Sequence, residues 1–316
     1  PGLRRADLAT QKLTRTVNTS QKSLRGLGQA AKASALGVGL LNKALSVTAL
    51  FLAPMAVAGK AFSGFAEADK AAAAVETLGV NSKELRDRLK RVSVESGHLA
   101  STTTLMGAAY DVASAGFNTA SEASAVLDAS LKAAVGGMSD LKTVSDATTS
   151  VLNAYGLSSD KAQKIVDGFI QTQNDGKIIV EQYANQIGRV APIAAAAGVS
   201  IDELNAAISS VSATGVPVMS TFAGLRQALV SILKPTKEAQ DIAAELGIEF
   251  NAAALKSKGF AAVMKEISQK AGGNTAKLTQ LFGSVEALTA VAPLLNDGLK
   301  KFDENLLNQA NSAGIA

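Results

Sequence analysis

One short junction recurs along the chain and restricts the fold more than any other feature. It consists of a glycine, an apolar residue and a hydroxyl residue, followed by an acid within a few positions. The copies are Gly137-Met138-Ser139-Asp140, Gly156-Leu157-Ser158-Ser159-Asp160 and Gly198-Val199-Ser200-Ile201-Asp202-Glu203. Glycine can end a helix in the left-handed conformation, and a serine oxygen followed by an acid suits the start of the next helix. The junction therefore predicts short helices joined by tight corners.

The third copy is the most complete. Ser200 and Glu203 have the spacing of a capping box, and Val199 is placed to act as a hydrophobic staple. Looser copies occur at 79–84 and 116–122. All of these corners predict that one helix ends and another begins almost at once.

Apolar periodicity between the corners predicts where the helices lie. The predicted ranges are 62–79, 82–96, 101–115, 119–135, a helix starting at Ser158 and fading near 173–176, then 179–197, 200–213, 216–234, 236–247, 259–270, 275–282 and 284–296. Pro192 predicts a kink, because the apolar pattern continues past it to Gly198. Residues 248–251 alone suggest a short extended segment.

The scarcity of large side chains also favours helices. The chain has no Cys, no Trp, one His and 4% aromatic residues, so Ala, Val, Leu and Ile must fill its core. Without cysteine, disulfides and thiolate metal sites are excluded. We expect an all-α fold of many short antiparallel helices joined by Gly/Ser corners, preceded by a basic N-terminal helix and an apolar helix.

Charge separates the beginning of the chain from the rest. Up to Lys60 there are nine basic residues and one acid, whereas the remainder carries 22 basic and 26 acidic residues. Within 1–35, leucines and a valine spaced by three to seven form one apolar stripe on a basic amphipathic arm. Self-association or docking, a solvated arm, and contact with nucleic acid all fit this pattern.

The most apolar window runs from Gly37 to Ala58, within a predicted apolar helix at 36–62. Its length suits a membrane span, but Asn42, Lys43 and Pro54 interrupt it. A helix covered by protein, conditional membrane contact and a transmembrane anchor are the three interpretations. The remaining divisions are a helical core at 63–300 and a polar tail at 301–316, which also fits a further helix.

Few residues suggest chemistry. Glu95 stands in a Glu-Ser context like that of lytic transglycosylases, but the Gly-Leu-Met-Gln phrase that should follow is missing. His98 is the only histidine, so no His cluster can hold a metal. The pairs Gly26/Gly28 and Gly37/Gly39 lack the third glycine of a dinucleotide fingerprint. We expect no enzyme and no catalytic, cofactor-binding or metal site.

Five stretches in register resemble the conserved core of bacteriophage tail tape measure proteins. They are ASTTTLMGAAYDVASAGF at 100–117, ATTSVLNAYGLSSDKAQKIVDGFIQTQN at 147–174, VAPIAAAAGVSIDELNAAISSVSATGV at 190–216, AGLRQALVSILKPTKEAQDIAAELGIEF at 223–250 and LTQLFGSVEALTAVAPLL at 278–295. Order and spacing agree with that family over roughly 65–300. No single stretch is decisive, but five in register are specific.

The resemblance implies a virion structural protein, made in the host cytoplasm, that lies in the tail tube lumen or at the tail tip. It would template tail assembly and length and leave at genome ejection. Implied partners are further copies of the chain (three or six), the tail tube protein and tail tip or baseplate hub proteins. The arm at 1–35 would touch the DNA end, and 37–58 the host membrane. The alternative function is a membrane-active channel or pore built on 37–58.

Overall fold

The computed structural model describes residues 69–295 and 299–316, all within one unit that spans 67–316. The predictions for the basic arm at 1–35 and the apolar helix at 36–62 lie outside the described residues. Residues 69–76 are helical. The later helices are α1 Ser82–Glu95, α2 Thr102–Ser114, α3 Ala120–Gly136, α4 Leu141–Ala154, α5 Ala162–Asp175, α6 Val180–Ile187, α7 Ala191–Ala197, α8 Ile201–Ala213, α9 Val218–Leu233, α10 Lys237–Leu246, α11 Ala252–Lys258, α12 Phe260–Ala271, α13 Thr275–Phe282, α14 Val285–Leu295 and α15 Lys300–Ala310.

A 3₁₀ turn at Ser159–Lys161 precedes α5, and no strand occurs in the part of the chain that the structure describes. The predicted all-α fold is therefore confirmed. Within 69–295 and 299–316, none of the helices combines the length and the hydropathy needed to cross a membrane.

The corner before α8 has the predicted geometry. Gly198 ends α7 in the left-handed region at φ 78°. The Ser200 hydroxyl accepts the Glu203 amide at 3.2 Å, and the Glu203 carboxylate accepts the Ser200 amide at 3.0 Å. These two bonds satisfy helix-start donors that would otherwise lack partners. Val199 is buried beside the cap, where the predicted staple places it.

The Gly137 corner contradicts the prediction. Gly137 has φ −92°, and Met138 takes the left-handed conformation instead at φ 51°. Glycine is required here by close approach, since a Cβ at position 137 would lie 2.4 Å from Val180 Cγ2. Asp140 rather than Ser139 caps α4, accepting the Lys142 amide at 2.9 Å. The prediction of a left-handed Gly137 followed by a serine cap is therefore wrong.

Two further predictions need correction. Ser158 does not cap a regular helix; its hydroxyl bonds to the Asp160 carboxylate at the 3₁₀ turn. The predicted kink at Pro192 is also wrong. The chain forms two separate helices, α6 and α7, and Pro192 lies in the first turn of α7. First-turn amides have no acceptor within their own helix, so proline loses no hydrogen bond there.

The segment 248–251 forms a loop rather than a strand, and it buries Ile248 and Phe250. Asn251 then caps α11, its Oδ1 accepting the Ala254 amide at 2.9 Å. Sequence periodicity missed α11 because this seven-residue helix buries only Ala254 and Leu255.

The core has two central helices. All residues of α8 from 204 to 212 are buried, and α5, α7, α9, α14 and α15 pack around it. α3 occupies the same role among α1, α2, α4 and α5, so α5 joins the two groups. Alanines and serines on α8 let its neighbours approach closely. A small aromatic cluster fills the remaining space, with Tyr183 4.7 Å from Phe169 and 5.7 Å from Phe222 between ring centroids.

Candidate interaction surfaces

The residues considered for chemistry in the sequence lie on an exposed corner. Glu95 is the last residue of α1, and His98 follows in the left-handed conformation at φ 62°. Both side chains are exposed. Among residues 69–295 and 299–316, no group of three or more His, Cys, Asp or Glu side chains could hold a metal ion. The features that invite a functional interpretation are two surfaces and one buried polar network.

The first surface is an open groove of about 410 Å³ between the end of α6, the outer face of α9 and the start of α14. Its lining is Gln186, Arg189, Met219, Phe222, Ala223, Arg226 and Glu286. Phe222 is buried and forms the floor, whereas Met219 is 64% exposed. We call this surface the basic groove. The open groove leaves room for side chains of a partner.

Close helix packing forms one wall of the basic groove. A Cβ at Gly224 of α9 would lie 2.6 Å from the Glu286 carbonyl oxygen and 2.8 Å from Ala290 Cβ on α14. Only glycine allows the two helices to approach this closely. The approach fixes Ala223 and Arg226 of α9 beside Glu286 of α14.

The charge of the basic groove is positive. Arg189 and Arg226 are both exposed on it. Within the described ranges, no carboxylate lies within ion-pair distance of either guanidinium. Glu286 is the one acid in the lining, so two cations face one anion. Arginine suits this position because its planar head binds carboxylates and also stacks on apolar surface.

The second surface is an apolar projection at the corner between α3 and α4. Met138 is 84% exposed, and Val135 and Ile179 are each close to half exposed. Gly137 packs against Val180, and the Ser139 hydroxyl donates to the Glu181 carboxylate, so this corner runs alongside the start of α6. We call these three apolar side chains the corner knob.

Acidic groups flank the corner knob. The Ser139 hydroxyl bond lowers the pKa of Glu181 below its usual range. The Asp140 amide also donates to Glu181, at 3.3 Å, and the Asp140 carboxylate is itself exposed. Lys177 is the basic residue nearest to Ile179 along the chain. Two acidic residues, Asp140 and Glu181, therefore lie next to the corner knob.

A hydrogen-bonded network lies inside the second helix group. The Tyr183 hydroxyl donates to Asn205 Oδ1 at 2.5 Å, and Asn205 Nδ2 donates to Gln309 Oε1 at 3.3 Å. Gln309 Nε2 in turn donates to Thr172 Oγ1 at 3.1 Å. All of these side chains are buried. Buried amides are costly without partners, so these bonds hold α5, α6, α8 and α15 in one relative position.

The last residues join the same core. The Asp167 carboxylate on α5 is 2% exposed and accepts the amides of Gly314 and Ala316 at 2.8 and 3.0 Å. Sequence reasoning missed this contact and the amide network. The available signal was polar residues at buried-face spacing, such as Asn305 and Gln309 four residues apart on α15.

Comparison with known proteins places the chain in a family. A family model described as phage-related minor tail protein matches residues 86–283. The chain is 28% identical over 322 residues to a tape measure protein of Pneumococcus phage Dp-1, covering 96% of this chain and 27% of that relative. It is 25% identical over 274 residues to a probable tape measure protein of Clostridium phage phiCD119, covering 80% of this chain and 29% of that relative.

The chain thus spans less than a third of the length of these curated relatives. No solved structure matches it. The resemblance to tail tape measure proteins is confirmed by the family model and by the names of both relatives. The chain belongs to the phage-related minor tail protein family.

Proposed function

We propose that this chain is a tape measure component that occupies the tail tube lumen or the tail tip, templates tail assembly and length, and leaves at genome ejection. The observation that carries the proposal is the family match over 86–283, supported by two relatives named as tape measure proteins. The fold is consistent with a structural role, since its side-chain networks join helices to one another. We propose no catalytic activity for it.

The proposed partners follow from that location. They are further copies of the chain, three or six in number, together with the tail tube protein and the tail tip or baseplate hub proteins. The basic arm at 1–35 would contact the DNA end, and 37–58 would contact the host membrane during ejection. Synthesis in the host cytoplasm precedes assembly into the virion. The channel alternative rested on 37–58, outside the described residues, and no comparison favours it as a second function.

Release at ejection can be tested by quantitative mass spectrometry of purified particles. The ratio of this chain to the tail tube protein is measured before ejection and in emptied particles. We expect several copies per intact tail and a large loss after ejection. An unchanged ratio would contradict release, and absence from intact tails would contradict the proposal as a whole.

Length templating needs its own experiment. At about 1.5 Å per residue, the 316 residues of this chain would extend at most about 470 Å as continuous helix. An in-frame tandem duplication of the coding segment should lengthen the tail by up to that amount if the segment acts as a ruler. Electron microscopy of negatively stained tails measures the change. Tails of unchanged length would restrict the role of this segment to the tail tip.

A further inference from the structure

Met138 is an unusual residue for its position. It adopts φ 51°, a conformation that disfavours every side chain with a Cβ, and it exposes 84% of a large apolar surface. The neighbouring Gly137 is itself not left-handed, and it leaves room for Val180, whose Cγ2 would lie 2.4 Å from a Cβ at position 137. Residues that break local preferences are concentrated at functional sites. The exposed methionine is therefore a candidate contact residue.

Ile179 breaks a second local preference beside it. It occupies the position before α6 where Ser, Thr, Asp or Asn would supply a capping oxygen, and its side chain cannot do so. It is 47% exposed. Two adjacent positions thus carry apolar side chains where a polar residue or glycine would suit the backbone better. Together with Val135 they form the corner knob, a contact surface of flexible and branched side chains.

The basic groove complements the corner knob in charge. The knob projects apolar side chains next to the acidic residues Asp140 and Glu181. The groove offers an apolar floor with a net positive rim from Arg189, Arg226 and Glu286. Such pairing of potentials is what favours one docking orientation over others.

The same molecule cannot bring the two surfaces together. Ile179 directly precedes α6, whereas Gln186 and Arg189 lie at its other end. Eight helical residues separate the surfaces by about 12 Å along a rigid element. The match can be used only between copies, and where it repeats from one copy to the next it closes into a ring or continues as a stack.

We propose that the corner knob of one copy inserts into the basic groove of the next, giving a head-to-tail interface between copies of this chain. The inference deepens the proposed self-association and rests on it. A surface centred on three apolar side chains is smaller than the roughly 800 Å² per partner of a stable complex. Isolated copies therefore associate weakly, and neighbouring copies confined in one tail associate more strongly through their high local concentration.

Site-directed cross-linking tests the interface directly, because the chain has no native cysteine. Met138→Cys and Met219→Cys chains are mixed at high concentration and treated with a short bismaleimide. Met138→Cys mixed with Leu307→Cys is the matched control, since Leu307 is 66% exposed on α15 outside both surfaces. We expect at least a tenfold higher yield of cross-linked mixed dimer from the first pair. Equal yields would overturn the interface, even if another region makes the chain oligomeric.

Charge reversal provides a second, independent test. Arg226→Glu, placed in the Met219→Cys chain, should reduce the yield of cross-linked mixed dimer severalfold. Adding Glu181→Arg to the Met138→Cys chain should restore that yield. Failure of the reversed pair to recover would contradict the proposed orientation. Finding the chain inside tails despite a negative cross-linking result would remove this interface and leave the proposed function standing.

Met138→Gly separates binding from folding. Glycine takes φ 51° without strain, so this variant should melt at a higher temperature than the parent chain. Sedimentation velocity of the full chain should show weaker self-association at the same time, with Leu307→Ser as the control that leaves association unchanged. Association equal to that of the parent chain would contradict the proposal.

Discussion

Two helix pairs of the same core are joined in opposite ways. α9 and α14 meet through Gly224 and Ala290, where the helices approach so closely that no side chain fits at position 224. α8 and α15 meet through amides, with Asn305 Nδ2 donating to Ser209 Oγ and Ser210 Oγ at 2.9 Å each. The first contact is steric and apolar. The second is directional.

The two contacts have different effects: one sets the distance between packed helices, and the other sets which residues of the two helices face each other. Asn305 on α15 bonds to Ser209 on α8, and Gln309, four residues later on α15, bonds to Asn205, four residues earlier on α8. The two helices therefore run antiparallel. Sliding α15 by one turn would break both sets of bonds and leave buried amides unpaired. The apolar pair fixes distance through packing, whereas the amide pair fixes which turn faces which.

The largest expected loss of stability comes from adding a side chain at the close contact between α9 and α14. Gly224→Ala places a methyl 2.6 Å from a backbone carbonyl, so α9 and α14 must separate. We expect the free energy of unfolding to fall by about 2–3 kcal/mol, as for overpacked cores. Urea denaturation measures it. Gly107→Ala within α2 meets nothing within 4 Å and should instead stabilise by about 0.5–1 kcal/mol; destabilisation of both variants alike would refute the close approach.

A smaller loss of stability is expected from breaking the hydrogen bonds between α8 and α15. Asn305→Ala removes the two bonds to serine hydroxyls and should lower the free energy of unfolding by about 1–2 kcal/mol. Hydrogen exchange should show faster opening of α15 in particular. Asn185→Ala, on the exposed face of α6, serves as the control and should stay within about 0.5 kcal/mol. Equal effects at both positions would mean that the amide network does not set the register.

The smallest effect at neutral pH concerns a tyrosine outside the network. The Tyr155 hydroxyl is buried without a hydrogen-bond partner in the described part of the chain, unlike that of Tyr183. Burial, followed by the charges of Glu203 and Asp202, raises the pKa of Tyr155 well above the ordinary 10.0. Tyr155→Phe should therefore change stability by less than about 0.5 kcal/mol at pH 7.

The effect of Tyr155 on stability should become measurable at alkaline pH. Above pH 10 the unfolded chain loses the phenolic proton while the folded chain keeps it, so the parent chain loses stability as pH rises. Tyr155→Phe should lose less over the same range. A residual loss should remain, because burial also raises the pKa of Tyr183. Identical pH profiles for variant and parent, followed by thermal unfolding, would show that Tyr155 is not buried as described.

Sequence reasoning succeeded where the cause is local. The capping box of Ser200 and Glu203, with Gly198 before it, consists of hydrogen bonds between residues three apart and formed as predicted. It failed where the cause is distant along the chain. Gly137 is required by Val180, more than forty residues later. The amide of Asn305 acquires its role only because α15 returns to α8, a contact that helical periodicity does not reveal.

The basic groove and the corner knob could not be predicted from the sequence for the same reason. The residues of the basic groove come from three helices and from the turn after α6, and none belongs to a recognisable motif. Met138 was visible in the sequence as part of a corner, but its left-handed conformation and its exposure are seen only in the folded chain, where this corner lies against the start of α6. The resemblance to tape measure proteins, by contrast, depended on order and spacing along the chain and was predictable.

Cryo-electron microscopy of intact particles tests the central claim most directly. A small tag inserted between Gly272 and Gly273, an exposed turn with open space around both glycines, marks the folded core. We expect tag density on the tail axis or at the tail tip, in the same number of copies in every tail. Tag density on the outer surface of the tail, or a chain found only in the host cytoplasm, would contradict it.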